Sequence, residues 1–259
     1  VNKSGVARQF GRASSRYAQA AGVQRKAAGI LMELLPRDLS PASILDLGCG
    51  DGEHAAALAR RWPKSSLTAV DLSPGMLRVA GKALENTGAR LLEADMDDPS
   101  WWRPEAWDLI FSNMALQWST DGSQVVRKAR EGLRPGGYFA LGVFLDGTFA
   151  ELGNVFASCG ARLLPRPGLR PGAQVGQWLA GASLSPLFAA EHREVERFPN
   201  LIQVLGKIRD LGATTGMEGR LTPGLLRRLE RCWRETYPDP LGLPLTWHYG
   251  LTLSRRLLS

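Results

Sequence analysis

A nine-residue stretch, ILDLGCGDG at 44–52, constrains the fold more than any other part of the chain. The apolar residues Ile44, Leu45 and Leu47 surround an acid, Asp46, and glycines follow in alternation at Gly48, Gly50 and Gly52. A helical pattern, HAAALARRW, comes next. A buried strand, a tight turn and a helix start make the first unit of a nucleotide-binding α/β fold. The glycines let the backbone turn sharply and let a ligand approach with no Cβ in the way. The spacing is G-x-G-x-G rather than the G-x-G-x-x-G of dinucleotide folds, and Asp51 and Glu53 stand at the helix start. A pyrophosphate would meet negative charge there, so a neutral or cationic ligand suits the turn better.

The next two units repeat the pattern. SLTAVDLSPGML is a strand ending in Asp71, nineteen positions after Gly52, where a second strand presents a carboxylate to ribose hydroxyls. ARLLEAD is a third strand and ends at Asp95. Further strands are expected at 107–112 and 137–144, and helices near 53–62, 74–87 and 120–132. This alternation implies a parallel sheet wound on both faces. Two helices precede it, at about 5–20 and 24–35. A helix from beyond Phe149 to about Arg162, a loop at LLPRPGLRPGAQ, a strand at 185–198, helices at 200–213 and 223–237 and a closing strand at LPLTWHYGLTLSRRL complete the chain. The expected division is a helical cap segment at 1–40, a nucleotide-binding core at 41–164, an insertion at 165–242 that completes the cap with an edge strand and helices, and a final strand at 243–259 that completes the sheet.

As a set, these motifs resemble the class I methyltransferases that use S-adenosylmethionine (SAM). The resemblance implies an α/β, Rossmann-like fold: a mostly parallel twisted sheet, helices on both faces and a helical cap. It assigns Asp46, Gly48, Gly50 and Gly52 to the SAM turn, Asp71 and Leu72 to the ribose, and Met76 to packing on adenine. Asp95 and Met96 would meet the adenine edge. LRPGG at 133–137 resembles the lead-in to the family's fifth strand. Each residue alone also admits a plainer role: Asp46 bonding its own turn, Asp71 capping a helix, Met76 filling a core.

SNMALQW, at the end of the fourth strand, places Ser112, Asn113, Gln117 and Trp118 beyond a strand's carboxyl end, where such sheets hold ligands. The sequence has no N-P-P-Y motif and no Pro-Cys nucleophile, which argues against methylation of nucleic-acid bases. The three cysteines, Cys49, Cys159 and Cys232, form no C-x-x-C pair, so neither a zinc site nor a disulfide framework is expected, and no metal-ligand cluster is evident. No run approaches the ~18 apolar residues of a membrane span. With no secretory stretch at its start either, the chain is expected in the cytoplasm.

The net charge is +7 and belongs to the ends. Residues 1–40 carry seven bases against two acids, and residues 220–259 seven against three, while the middle is slightly acidic. Arg8, Arg12 and Arg16 recur every four residues and so share a helix face. Such a field attracts an acidic partner, though an exposed arginine face can also simply be solvated.

VNKSGVARQFGRASSRYAQAAGVQ, SNMALQW, KIRDLGATTG and LPLTWHYG together resemble the malonyl-acyl carrier protein O-methyltransferases of biotin synthesis. That resemblance implies methylation of the free carboxylate of the malonyl thioester, leaving S-adenosylhomocysteine, with an acidic acyl carrier protein as partner of the basic ends. Tyr17, Gln117, Trp118 and His248, with Trp247, are the candidates for positioning the acceptor, with no general base expected. The alternatives are another small carboxylic acid or metabolite as acceptor and, more remotely, a nucleic acid.

Overall fold

The computed structural model describes residues 2–160, 168–212 and 221–258. Seven strands follow in chain order: β1 (Ser43–Leu47), β2 (Ser66–Asp71), β3 (Arg90–Glu93), β4 (Trp107–Asn113), β5 (Leu133–Phe144), β6 (Leu184–Phe198) and β7 (Leu243–Arg256). They form one sheet in the order β3-β2-β1-β4-β5-β7-β6. β1 to β5 are parallel, and β7 runs antiparallel to both of its neighbours. The order steps outward from β1 to β3, then restarts with β4 on the other side of β1. A crevice opens at the strands' carboxyl ends where the winding reverses.

The helices are α1 (Lys3–Ala20), α2 (Gly22–Leu34), α3 (Glu53–Arg61), α4 (Pro74–Ala83), α5 (Gly122–Gly132), α6 (Ala150–Ser158), α7 (Gly172–Gly181), α8 (Leu201–Asp210) and α9 (Pro223–Thr236). The central strands are buried on both faces, and alternate residues serve different cores. Ile44, Leu109 and Phe111 join Ala27, Leu31, Ala55 and Leu58 on one face. Leu45, Leu47 and Ile110 join Val125, Ala129, Val175 and Leu179 on the other. Ser73 caps α4 with Pro74 at its first position, and the Asp121 carboxylate caps α5 by accepting from the Ser123 and Gln124 N–H groups. Among the described residues no helix is long and apolar enough to cross a membrane.

The structure departs from the sequence expectation in a few elements. β5 begins at Leu133, so LRPGG lies inside the strand, beside a register shift between Trp107 and Leu109 of β4. α2 lies on the sheet, against β4, β5 and β7, so only α1 of the first forty residues sits over the carboxyl ends. α7 starts inside the expected proline- and glycine-rich loop, at Gly172, and continues through a segment for which no element was expected; Val175 and Leu179, one turn apart, bury its inner face. Trp178 of α7 fills the space that Gly122 leaves, since a Cβ there would lie 2.4 Å from the indole. α6 ends at Ser158 and α8 at Asp210. Cys159 and Gly160 form a turn rather than continuing the helix expected to reach Arg162, while residues 161–162 of that helix, residues 163–167 of the expected loop and the end of KIRDLGATTG from Ala213 lie outside the described residues.

Candidate active site

The turn after β1 is built as its glycines require. Gly48, Gly50 and Gly52 all have positive φ. A Cβ on Gly48 would lie 2.2 Å from the Ala115 Cβ, and one on Gly52 2.8 Å from the α4 backbone at Ala80. The Gly48 and Cys49 N–H groups donate to the Val70 carbonyl at 2.8 and 2.9 Å, which ties the turn to β2. Asp71, at the end of β2, accepts from the Gly50 N–H at 2.9 Å and the Ser73 N–H at 2.8 Å. Each oxygen of a carboxylate has two acceptor sites, so capacity remains for a ligand. Asp51 turns back to the helix start and accepts from the Glu53 N–H at 3.4 Å. A carboxylate thus occupies the place a phosphate would need.

A cavity lies across these strand tips. Gly48, Gly50, Asp71, Leu72, Asp95, Met96, Asn113 and Trp118 line it, and Tyr17 closes it from α1. The sequence-predicted residues of four strand ends and one distant helix are therefore brought together. Met114, also in the wall, adopts positive φ without being glycine, and its N–H donates to the Gly142 carbonyl at 2.7 Å. Backbone strain of that kind gathers where a loop must present its neighbours to a ligand.

Helix α1 forms the roof. Lys3 pairs with Asp95 at 2.8 Å and with Asp97 at 2.6 Å, fastening its first turn to the loop after β3. The Ser73 hydroxyl donates to the Ala7 carbonyl at 2.9 Å. Gly11 and Gly75 let α1 and α4 touch backbone to backbone; a Cβ on Gly75 would lie 2.5 Å from the Gly11 Cα. Phe10 meets Trp118 edge-on, with ring centroids 5.1 Å apart, and lies 6.2 Å from Tyr17. Lys3, Val6 and Phe10 line the cavity and were not singled out in the sequence. Phe10 and Val6, apolar positions two and three turns before Tyr17 on the same helix, were the available signal.

The floor is acidic. Burial, then repulsion from Asp71 and Asp51, raises the Asp46 carboxyl to about 8. Burial likewise raises Asp71 and Asp51, and burial and then these acids raise the Tyr17 phenol. Asp46 Oδ2 and Asn113 Oδ1 are buried and have no hydrogen-bond partner. Unmatched acceptors beside three crowded carboxyls suit a ligand that is cationic and carries N–H donors.

Comparison with known proteins decides the family. A methyltransferase domain model matches residues 44–137. The malonyl-acyl carrier protein O-methyltransferase of Dechloromonas aromatica is 32% identical over 95% of this chain and 92% of its own length. That of Anoxybacillus flavithermus is 30% identical over 96% of this chain and 95% of its own. The chain belongs to the malonyl-acyl carrier protein O-methyltransferase family. Among solved structures, a methyltransferase-like protein of Bacillus halodurans superposes with a TM-score of 0.64 at 15% identity, covering 89% of this chain and 98% of its own. A geranyl diphosphate C-methyltransferase of Streptomyces coelicolor, solved with S-adenosyl-L-homocysteine, gives 0.55 at 15% identity, covering 89% of this chain and 77% of its own. The fold is that of the class I methyltransferases.

Other residues expected in this methyltransferase site stand apart from the cavity wall. Met76 is fully buried. Asp46 and Gly52 lie beneath the turn rather than in the wall. Gln117 is buried behind the β4 loop, where its Nε2 donates to the Met114 carbonyl at 2.7 Å. His248 is 3% exposed, with Nε2 2.8 Å from Glu191 Oε2 and its ring seated where Gly147 leaves room. Trp247 donates its indole N–H to Glu196. Of the arginine stripe, all three residues are exposed, but Arg16 pairs with Asp210 of α8 at 3.2 Å.

Proposed function

We propose that this chain transfers the methyl group of SAM to the free carboxylate of a malonyl thioester on an acyl carrier protein. The observation that carries the proposal is near full-length similarity to proteins of that activity, including the cap segments outside the shared methyltransferase core. The acidic floor, the unmatched acceptors and the glycine turn fit SAM. Asp71 and Leu72 would hold the ribose, Asp95 and Met96 the adenine edge, and Asn113 with the acids around Asp46 the ammonium group. SAM, when bound, supplies a methyl already activated on a sulfonium.

What remains for the protein is positioning. A malonate carboxylate is ionised at neutral pH, so no general base is required. Tyr17, kept as a neutral phenol, and the Trp118 indole are the wall groups that can orient an anionic oxygen without taking a proton from it. Phe10, Val6 and Trp118 exclude water from the chamber, which strengthens each remaining polar contact. The acidic carrier protein would dock on the exposed arginines of the cap, Arg8 and Arg12 on α1 and Arg227 and Arg231 on α9. The ester hides the acyl chain's charge, so an elongating enzyme can treat the product as a neutral primer. The test is transfer of labelled methyl from SAM to malonyl carrier protein beside malonyl-CoA. Preference for the carrier supports the reading, and equal kcat/KM on the two removes the carrier from it.

A further inference from the structure

We infer that Cys159 and Cys232 form an oxidisable dithiol that closes to an intramolecular disulfide and ties α6 to α9. Two hydrogen bonds fix how these helices lie. Asn154 Nδ2 of α6 donates to the Tyr237 hydroxyl at 2.7 Å, and Arg228 Nη2 of α9 donates to the Cys159 carbonyl at 2.9 Å. The helices are therefore antiparallel. From the contact between Asn154 and Tyr237, five residues forward along the chain reach Cys159 and five residues back reach Cys232. The two contacts thus bracket the cysteine pair along the helices, to within about one turn. Arg228 is one turn from Cys232 on the same helix face, and it is the residue that meets Cys159. Both cysteines pack against the same core, and both remain partly exposed.

The thiols are close enough to interact. Burial and then the facing Cys232 thiol push Cys159 up from its ordinary value, against the pull of Arg228. Closure therefore accelerates as pH rises, because the thiolate is the attacking species. With a disulfide such as oxidised glutathione as oxidant, one cysteine thiolate attacks a glutathione sulfur and releases one glutathione thiolate. The second cysteine then attacks the protein sulfur of the mixed disulfide and releases the other. Two S–H bonds are lost, one S–S bond forms, and the oxidant leaves as two reduced glutathiones. Cys49 is a built-in control: it is 4% exposed, and burial raises its thiol well above the ordinary value.

The experiment treats the intact protein with oxidised glutathione, then blocks remaining thiols after denaturation and weighs it. The expected product has lost the mass of two hydrogens, retains one blockable thiol of three, and yields a Cys159 peptide joined to a Cys232 peptide. Cys159→Ser and Cys232→Ser should each stop at a stable glutathione adduct on the surviving partner. The thermal midpoint should rise on oxidation of the parent protein and of neither variant. Retention of all three thiols, separate adducts on both cysteines, or links only between two chains would overturn the inference.

Discussion

Asp46 is the residue whose ionisation reports most directly on a cation in the cavity. Its folded value of about 8 lies above the ordinary carboxyl value of 3.8. At neutral pH it is largely protonated, and a cationic ligand favours the ionised form. SAM binding therefore releases a proton below pH 8, and affinity should climb with pH, by up to about tenfold per unit, then level off above 8. Calorimetry in buffers of different ionisation heat checks this, and Asp46→Asn should flatten the profile. The same raised value means that Asp46's contribution to the stability of the SAM-free protein is complete below about pH 4 and is lost as pH rises through about 8. Asp71→Ala removes a carboxylate from the cavity wall, the proposed ribose acceptor, and also frees the Gly50 and Ser73 N–H groups. SAM binding should weaken by roughly 1–3 kcal/mol; unchanged affinity by titration would return Asp71 to a purely local role. Asp71, Asp95 and Asn113 were legible in the sequence because a parallel sheet puts every strand's carboxyl end at one edge. Lys3 and Phe10 were not, because nothing local says which face of an N-terminal helix meets that edge.

Among the elements, α1 decides whether the chamber is closed. Its seat on α4 depends on the Gly11–Gly75 approach. Gly75→Ala should push the roof outward at a stability cost of roughly 1–3 kcal/mol. It should also weaken SAM binding several-fold and speed proteolysis within residues 3–20, as limited digestion with and without SAM would show. The exposed side of α1 predicts a separable effect. Arg8→Glu with Arg12→Glu should raise KM for malonyl carrier protein and make it less sensitive to salt, while KM for SAM stays the same. Arg16 is the weaker choice for this test, because its pairing with Asp210 would confound docking with cap stability. The helical period of the first forty residues showed α1 and α2 plainly. It did not show that α2 covers the sheet while α1 covers the site, since that division follows from tertiary contacts. α7 escaped for a different reason: the proline and glycine before it dominate a short window, and its apolar face amounts to Val175 and Leu179.

At the level of the whole molecule, the sequence revealed the architecture because the glycine turn, the acid-terminated strands and the regular alternation all agree on one winding. The two late strands were legible, though not their antiparallel pairing: partial period-two patterning marked β6, which carries Glu191, Arg193, Glu194, Glu196 and Arg197, charges that discourage pairing of the sheet edge with another chain. The cap was legible as helices but not as an assembly. His248 and Gln117 show the limit, since both sit in motifs diagnostic of the family yet turn their Nε2 atoms to Glu191 and Met114 rather than to the cavity. Transfer to a carboxyl oxygen of a carrier-bound malonyl group can be read by fragment-resolved mass spectrometry of malonyl carrier protein after incubation with the protein and SAM. One added CH₂ is expected on the terminal carboxyl, absent when SAM is omitted and reduced with Asp71→Ala. No added mass, or a methyl located on the α-carbon or the carrier polypeptide, would contradict it.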